Sequence, residues 1–209
     1  MKKIICIILI FSLVFTMASC GKPKPEDEPL TPTLTADVFL KALKARDMDT
    51  LQKYYEGDVK DLSIENTIDD PILAAVVEMM ISQLLDFDYT LDNEQINGTT
   101  ATVDITIRTY DIGGMVKDLA GDIISGVLGM GIFNLTEEAV EEKVREILTK
   151  NLLEAIKTAE KDFEVTSTVK LVQKGGIWMV KDMNKADDFF YGLSGGLSRL
   201  SDIFGNLFG

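Results

Sequence analysis

The chain has 209 residues, with 21 basic and 34 acidic side chains and a formal net charge of −13. That length supports one domain with a sizeable core and is short for two. So acidic a chain, without a basic stripe carrying interleaved aromatics, disfavours the counterion-displacing chemistry of nucleic-acid binding and, equally, anionic lipid surfaces; histidine is absent altogether, which removes the usual general base near neutral pH, the commonest metal ligand and every imidazole-dependent nucleophilic triad.

Both cysteines, Cys6 and Cys20, fall within the first twenty residues, so no disulfide framework is predicted. Lys2-Lys3 precede an apolar run from Ile4 to Thr16, and Met17-Ala18-Ser19-Cys20 closes it with small residues ahead of a cysteine. This is the pattern of a secretory signal over residues 1–19. An uncleaved membrane anchor needs about 18 apolar residues, more than this run supplies. In its charge, length and cleavage motif the segment resembles the lipobox of bacterial lipoproteins, with Met17 in place of the usual Leu. That resemblance implies cleavage after Ser19, diacylation of Cys20, and anchorage to the outer face of a bilayer, where two chains hold better than one. Residues 20–34 carry four prolines (Pro23, Pro25, Pro29, Pro32) and the acid cluster Glu26-Asp27-Glu28, a composition that makes an extended tether rather than a core or a calcium site.

From Thr35, read as an N-cap, the apolar positions Val38, Phe39, Ala42 and Leu43 repeat at helical spacing. Asp49 is placed to cap a second, short helix with Leu51, Tyr54 and Tyr55 on its buried side, ended by Gly57. Asp70-Pro71 starts a third helix running to about Leu85, whose nearly continuous apolar content predicts burial on more than one side. Phe87, Tyr89 and Leu91 then alternate with polar residues, as do Ala101, Val103, Ile105 and Ile107 after the turn Asn97-Gly98, which predicts a hairpin.

Ile112 to Phe133 is apolar but carries six glycines. Because each interior glycine costs about 1 kcal/mol relative to alanine, only a weak helix over about Val116 to Ile124 is predicted, serving as a cover on the core or as a flap over a pocket. Thr136 caps a long helix from Glu137 to about Ala159, and the acids at its start answer the macrodipole rather than a metal. In Phe163 to Met183 the odd positions Phe163, Val165, Val169 and Leu171 are apolar, and Gly175-Gly176 can supply both positive φ angles of a two-residue turn. The register that follows sets Leu171 opposite Val180 and Gln173 opposite Trp178. Phe189, Phe190, Leu193, Leu197, Leu200, Phe204, Leu207 and Phe208 give the tail a one-sided helical spacing, predicted to form when docked on its own domain, a partner or a membrane surface. The single domain is thus residues 35–209, with a helical insertion at 111–161 and a tail at 186–209.

Gly192-Leu193-Ser194-Gly195-Gly196 fits the nucleophile-elbow pattern but has neither a preceding strand nor a histidine, so it is rejected. No phosphate loop, dinucleotide fingerprint or Cys/His metal spacing is present; no cofactor and no metal is predicted. In the hairpin register Asp182 falls opposite Val169, on the side of Trp178 and Val180, where burial would raise its pKa and make it a candidate base; a strand-end aspartate reaching water is the plain alternative. Tyr89 shares the inner parity of its strand, and a core tyrosine with a satisfied hydroxyl explains it equally.

The order of three helices followed by an antiparallel sheet ending in "GGIWMVKDM", together with "FLKALKARDMDTLQKYY" at the start, resembles lipoproteins of the nuclear transport factor 2-like (cystatin-like α+β cone) superfamily. The resemblance implies an α+β fold in which a curved antiparallel sheet cups the N-terminal helices, often around an apolar cavity, and a homodimer through the outer sheet face. The long insertion and the tail depart from a minimal cone. On that reading the candidate ligand-binding residues are Tyr55, Tyr89, Trp178, Val180 and Asp182. The leading expectation is a membrane-tethered, extracytoplasmic, non-catalytic module for an apolar small molecule or an envelope protein partner. The alternatives are an enzyme acting through carboxylate and tyrosine, and an assembly protein using the outer face (Thr102, Thr106, Thr166, Thr168) and the C-terminal helix.

Overall fold

A computed structural model describes residues 29–62, 69–130, 136–184 and 187–199. The signal segment, Cys20, most of the tether, and Leu200, Phe204, Leu207 and Phe208 of the tail lie outside the described residues.

Helix α1 (Pro32–Ala45) starts one turn earlier than Thr35: Thr31 is its N-cap and its hydroxyl accepts a bond from the Leu34 amide at 3.2 Å. Pro32, read as tether, sits at N1, where its fixed φ favours the helix and its missing N–H costs nothing. Thr35 is instead fully buried within the helix, beside Ala36, Phe39 and Leu40. Helix α2 (Met48–Tyr54) is likewise capped by Asp47 rather than Asp49, through the Thr50 amide at 3.1 Å. A 3₁₀ turn, Val59–Leu62, follows. Asp70 caps α3 (Pro71–Leu85) as expected, accepting from the amides of Ile72 and Leu73.

Strands β1 (Asp88–Asn97), β2 (Thr100–Thr109), β3 (Phe163–Lys174) and β4 (Ile177–Val180) form one antiparallel sheet in that order. Leu171 faces Val180 and Gln173 faces Trp178, with Gly175 and Gly176 at φ 58° and 84°. This is the register read from the sequence. In β1 a bulge between Asp92 and Gln95 places Asn93 at φ 51°, and Asn93 donates to the Asp104 carboxylate at 3.0 Å. Val103, Ile105, Ile107, Val169, Leu171 and Val180 are all buried on one face, under α1. The opposite face carries a row of threonines, Thr90, Thr106 and Thr166, the last two 3.1 Å apart at their hydroxyls.

The glycine-rich segment forms a full 18-residue helix, α4 (Ile112–Gly129), longer than its glycine content predicts. Asp111 caps it, accepting from Gly114 N at 2.8 Å, and its first residues Ile112 and Gly113 are buried. Helix α5 (Glu137–Ile147) passes through a π-helical turn, Leu148–Leu152, into α6 (Leu153–Thr158), and a small apolar cluster of Val76, Leu152 and Ile156 fastens this insertion to α3. Helix α7 (Asp188–Leu193) then returns to the inner face of the sheet. Phe189 and Leu193 join the core shared by Phe39, Phe87 and Val180, and Gly192 lies against Ile107 and Val165. The fold is α+β: a curved antiparallel sheet cupping α1 on one side of its concave face and the first part of the C-terminal tail on the other.

Candidate functional site

Tyr55, Val180 and Asp182 meet at the edge of the sheet. Tyr55 leaves α2 in extended conformation and bridges in parallel to Val180, and the next amide, Glu56 N, donates to the Val180 carbonyl at 2.8 Å. The Tyr55 ring is buried and stacks on Phe39, 5.7 Å between centroids. Its hydroxyl donates to Asp182 Oδ1 at 2.8 Å and accepts from the Met183 amide at 3.1 Å. Burial first, and then the Asp182 and Asp61 carboxylates, push this phenol up to about 12. At neutral pH Tyr55 is therefore a hydrogen-bond donor and not a base. Asp182 stands past the last strand pair and is exposed, so the burial that would have made it a base is missing. The strand stops there because Lys181 N makes the final ladder bond, to the Lys170 carbonyl, and the chain then turns to hold Tyr55.

Tyr89 belongs to a separate network. Its hydroxyl donates to Asp37 Oδ1 at 2.8 Å, while Lys41 holds the other oxygen at 2.7 Å; burial and the Asp37 charge raise the Tyr89 pKa. Asp37 and Phe39 are about 200° apart around α1, so the two tyrosines attach to different sides of that helix. Tyr89 lines an open groove with Lys41, Lys44 and Phe87. Trp178 is buried in the core on the same face as Val180.

An apolar cavity of about 100 Å³ lies where the helices converge beyond the start of β1. Leu43 of α1 and Leu84 and Leu85 of α3 form one side, and Phe87 forms the floor. Met183, held through its amide by Tyr55, faces Asp61 and Leu62 of the 3₁₀ turn, and Phe190, Leu193 and Ser194 of the tail close the remainder. Of the residues singled out in the sequence, Tyr55 and Asp182 therefore adjoin this cavity through Met183, whereas Tyr89, Trp178 and Val180 do not line it. Helix α4 does not line it either, so among these residues the flap over the cavity is the tail rather than the glycine-rich insertion.

The tail is fastened by a glycine-rich turn rather than by the one-sided apolar spacing alone. The motif Gly192-Leu193-Ser194-Gly195-Gly196 ends α7: Gly195 and Gly196 have φ 53° and 81°, and the Gly196 amide returns to the Tyr191 carbonyl at 3.0 Å. Ser194 Oγ donates to Tyr191 O and accepts from Ser198 N, both at 3.1 Å, so it joins two turns and is no nucleophile. Gly113 at the start of α4 donates to the Gly195 carbonyl at 2.8 Å. A Cβ on Gly113 would stand 2.9 Å from the Gly196 carbonyl carbon, and one on Gly195 would collide with the Tyr110 carbonyl oxygen. Glycine on both sides permits this backbone contact. Of the three glycine pairs in the sequence, 113–114, 175–176 and 195–196, the second makes the hairpin turn and the other two meet here.

Among the described residues no group of three or more His, Cys, Asp or Glu is arranged to hold a metal ion, and no helix is long and apolar enough to cross a membrane. No protein-family model matches the chain, and no curated protein matches it in sequence. Among solved structures, a candidate lipoprotein (ycdA) of Bacillus subtilis is 16% identical with a TM-score of 0.34, over 78% of this chain and 48% of that one. An LEH-like epoxide hydrolase of M. tuberculosis is 15% identical with a TM-score of 0.28, over 87% of this chain and 97% of that one. The chain thus spans about half the length of the first of these, and at these scores neither likeness transfers chemistry to this site.

Proposed function

We propose that this protein is a membrane-tethered, extracytoplasmic lipoprotein whose domain is a non-catalytic binding module for a small apolar molecule. The tether rests on the signal segment and Cys20, followed by the proline- and acid-rich run to α1. The binding role is carried by one observation: the cavity of about 100 Å³ beside the tail, walled by leucine, phenylalanine and methionine side chains. An apolar cavity of about 150 Å³ stays dry and accepts benzene, so this one suits a chain of about four or five carbons. Burying that chain contributes about 0.8 kcal/mol per methylene, or about 3–4 kcal/mol before the cost of association, which limits the affinity to the millimolar range or weaker. The carboxylate–tyrosine reaction has less support. Tyr89 and Asp182 are held by different partners, and Tyr55, the tyrosine that does meet Asp182, is a buried donor.

Titration of the protein with n-butanol, followed by methyl and amide NMR shifts, tests the binding role. Saturable shifts at Leu43, Met183 and Leu193 with a millimolar Kd are expected; no saturable shift at these positions refutes it. The tether is tested by metabolic labelling with a fatty acid in a bacterial host, where label is expected on the wild type and lost in Cys20→Ser; unlabelled wild type in the membrane fraction refutes it.

A further inference from the structure

The cavity has one charged residue in its wall. Of its two polar lining residues, Ser194 has its hydroxyl engaged at both ends, donating to Tyr191 O and accepting from Ser198 N. Asp61 is different: its carboxylate makes no hydrogen bond or ion pair with any described residue, although its own backbone is fixed by the 3₁₀ turn through Asp61 N to the Asp58 carbonyl at 3.0 Å. Lys60, its neighbour in sequence, forms no ion pair with it among the described residues. Asp182 stands nearby on the far side of the Tyr55 hydroxyl, which feels both charges. The recess is therefore apolar, with Asp61 the one charged side chain in its wall; Lys44 lies over the Phe87 ring and donates to the Phe87 carbonyl without lining the recess.

Resting on the binding role proposed above, the geometry points to a positively charged amphiphile as the ligand: a short alkylammonium whose chain fills the recess between Leu43, Phe87 and Leu193 and whose ammonium meets Asp61. A neutral alcohol of the same length fills the recess equally and leaves the carboxylate with water alone, and a carboxylate of that length is repelled. A half-solvated ammonium–carboxylate contact adds only modestly to affinity, corresponding to about a fivefold preference at low salt, and the preference fades as ions screen it. This assigns the chemical class of ligand and makes Asp61 the residue that selects it.

The test is a parallel NMR titration of the soluble domain-bearing chain, with Cys20→Ser to prevent acylation, using n-butylammonium chloride, n-butanol and sodium butyrate at 20 mM and 500 mM salt. Butylammonium is expected to bind about fivefold more tightly than butanol at 20 mM salt, to lose that margin at 500 mM, and to lose it at 20 mM in Asp61→Asn. Butyrate is expected to be the weakest. Equal binding of butylammonium and butanol at low salt overturns the cation preference and leaves the apolar binding role standing. Binding of neither overturns both. An undiminished margin in Asp61→Asn overturns the assignment of Asp61, and because that residue is exposed the variant retains the fold against which the comparison is made.

Discussion

The contact between Gly113 and the Gly195-Gly196 turn makes a prediction opposite in sign to what helix propensity alone would give. Gly113 lies in the first turn of α4, where alanine is favoured over glycine by up to about 1 kcal/mol. A Cβ there meets the Gly196 carbonyl carbon at 2.9 Å, its oxygen at 3.0 Å and its Cα at 3.3 Å. All three are backbone atoms in a turn of positive φ, with no side chain to rotate aside, so the overpacking cost is about 2–3 kcal/mol. The net expectation for Gly113→Ala is a loss of about 1–2 kcal/mol. Gly121, in the same helix, has nothing within 4 Å of its would-be Cβ, so Gly121→Ala should instead gain up to about 1 kcal/mol. In a chain of this size each kcal/mol moves Tm by about 2–4 °C. Calorimetry of the two variants should then show Gly113→Ala falling by roughly 2–8 °C and Gly121→Ala rising by roughly 1–4 °C. If Gly113→Ala rises in step with Gly121→Ala, the tail is not clasped to α4 and the reasoning fails.

Three further outcomes follow from the hydrogen-bond and charge networks. Tyr55→Phe removes a donor to Asp182 and an acceptor for Met183 N, and urea denaturation should show a loss of about 1–2 kcal/mol; a double-mutant cycle with Asp182→Ala should return a coupling of at least about 0.5 kcal/mol. With its folded pKa pushed from 10 to about 12, the Tyr55 phenol contributes stability that is complete below pH 10 and lost as pH rises from 10 through 12, so wild type should lose stability across that window more steeply than Tyr55→Phe. The sign reverses at Asp86, whose carboxyl is held below its ordinary 3.8 by a hydrogen bond from Lys161: its contribution is present above that value and lost as pH falls below it, and Lys161→Gln should flatten the acid limb of the stability profile.

Legibility followed the range of the interaction. The hairpin register was readable because a period-2 pattern and a glycine pair sit within twenty residues of each other, and the turn angles at Gly175 and Gly176 leave no slack for a one-residue slip. The caps were half readable. Thr31 and Thr35, like Asp47 and Asp49, are competing cap residues within one turn, and Pro32 at N1 was the discriminating residue at the first of them. The length of α4 is not legible from propensity, which prices each glycine alone, whereas Gly113 has its backbone partner 82 residues away, at Gly195. The candidate site divided along the same line. Strand parity correctly put Val180 and Trp178 on the buried face, but parity stops where the strand stops, at Val180, two residues before Asp182 answers to Tyr55 across 127 positions.

The helices packed on the inner face of the sheet decide what those buried residues do. Were the concave face of the sheet open, Trp178, Val180 and Val165 would be surfaces for a ligand; here α1 and α2 cover β4 and α7 covers β2 and β3, with Phe189 and Leu193 in the same core, and the sheet positions become structural. What remains unfilled is the corner where α7 ends, because the clasp at Gly195 stops the helix at Leu193 and puts a serine, not a large apolar side chain, at the next position. The cavity is thus set by the same glycine pair that fastens the tail. Tyr55 holds Met183, another lining residue, so one backbone clasp and one buried phenol both bear on the recess. On the binding role proposed above, walls fixed in this way are what the recess would need, since a ligand offering at most about 4 kcal/mol of burial cannot also order them.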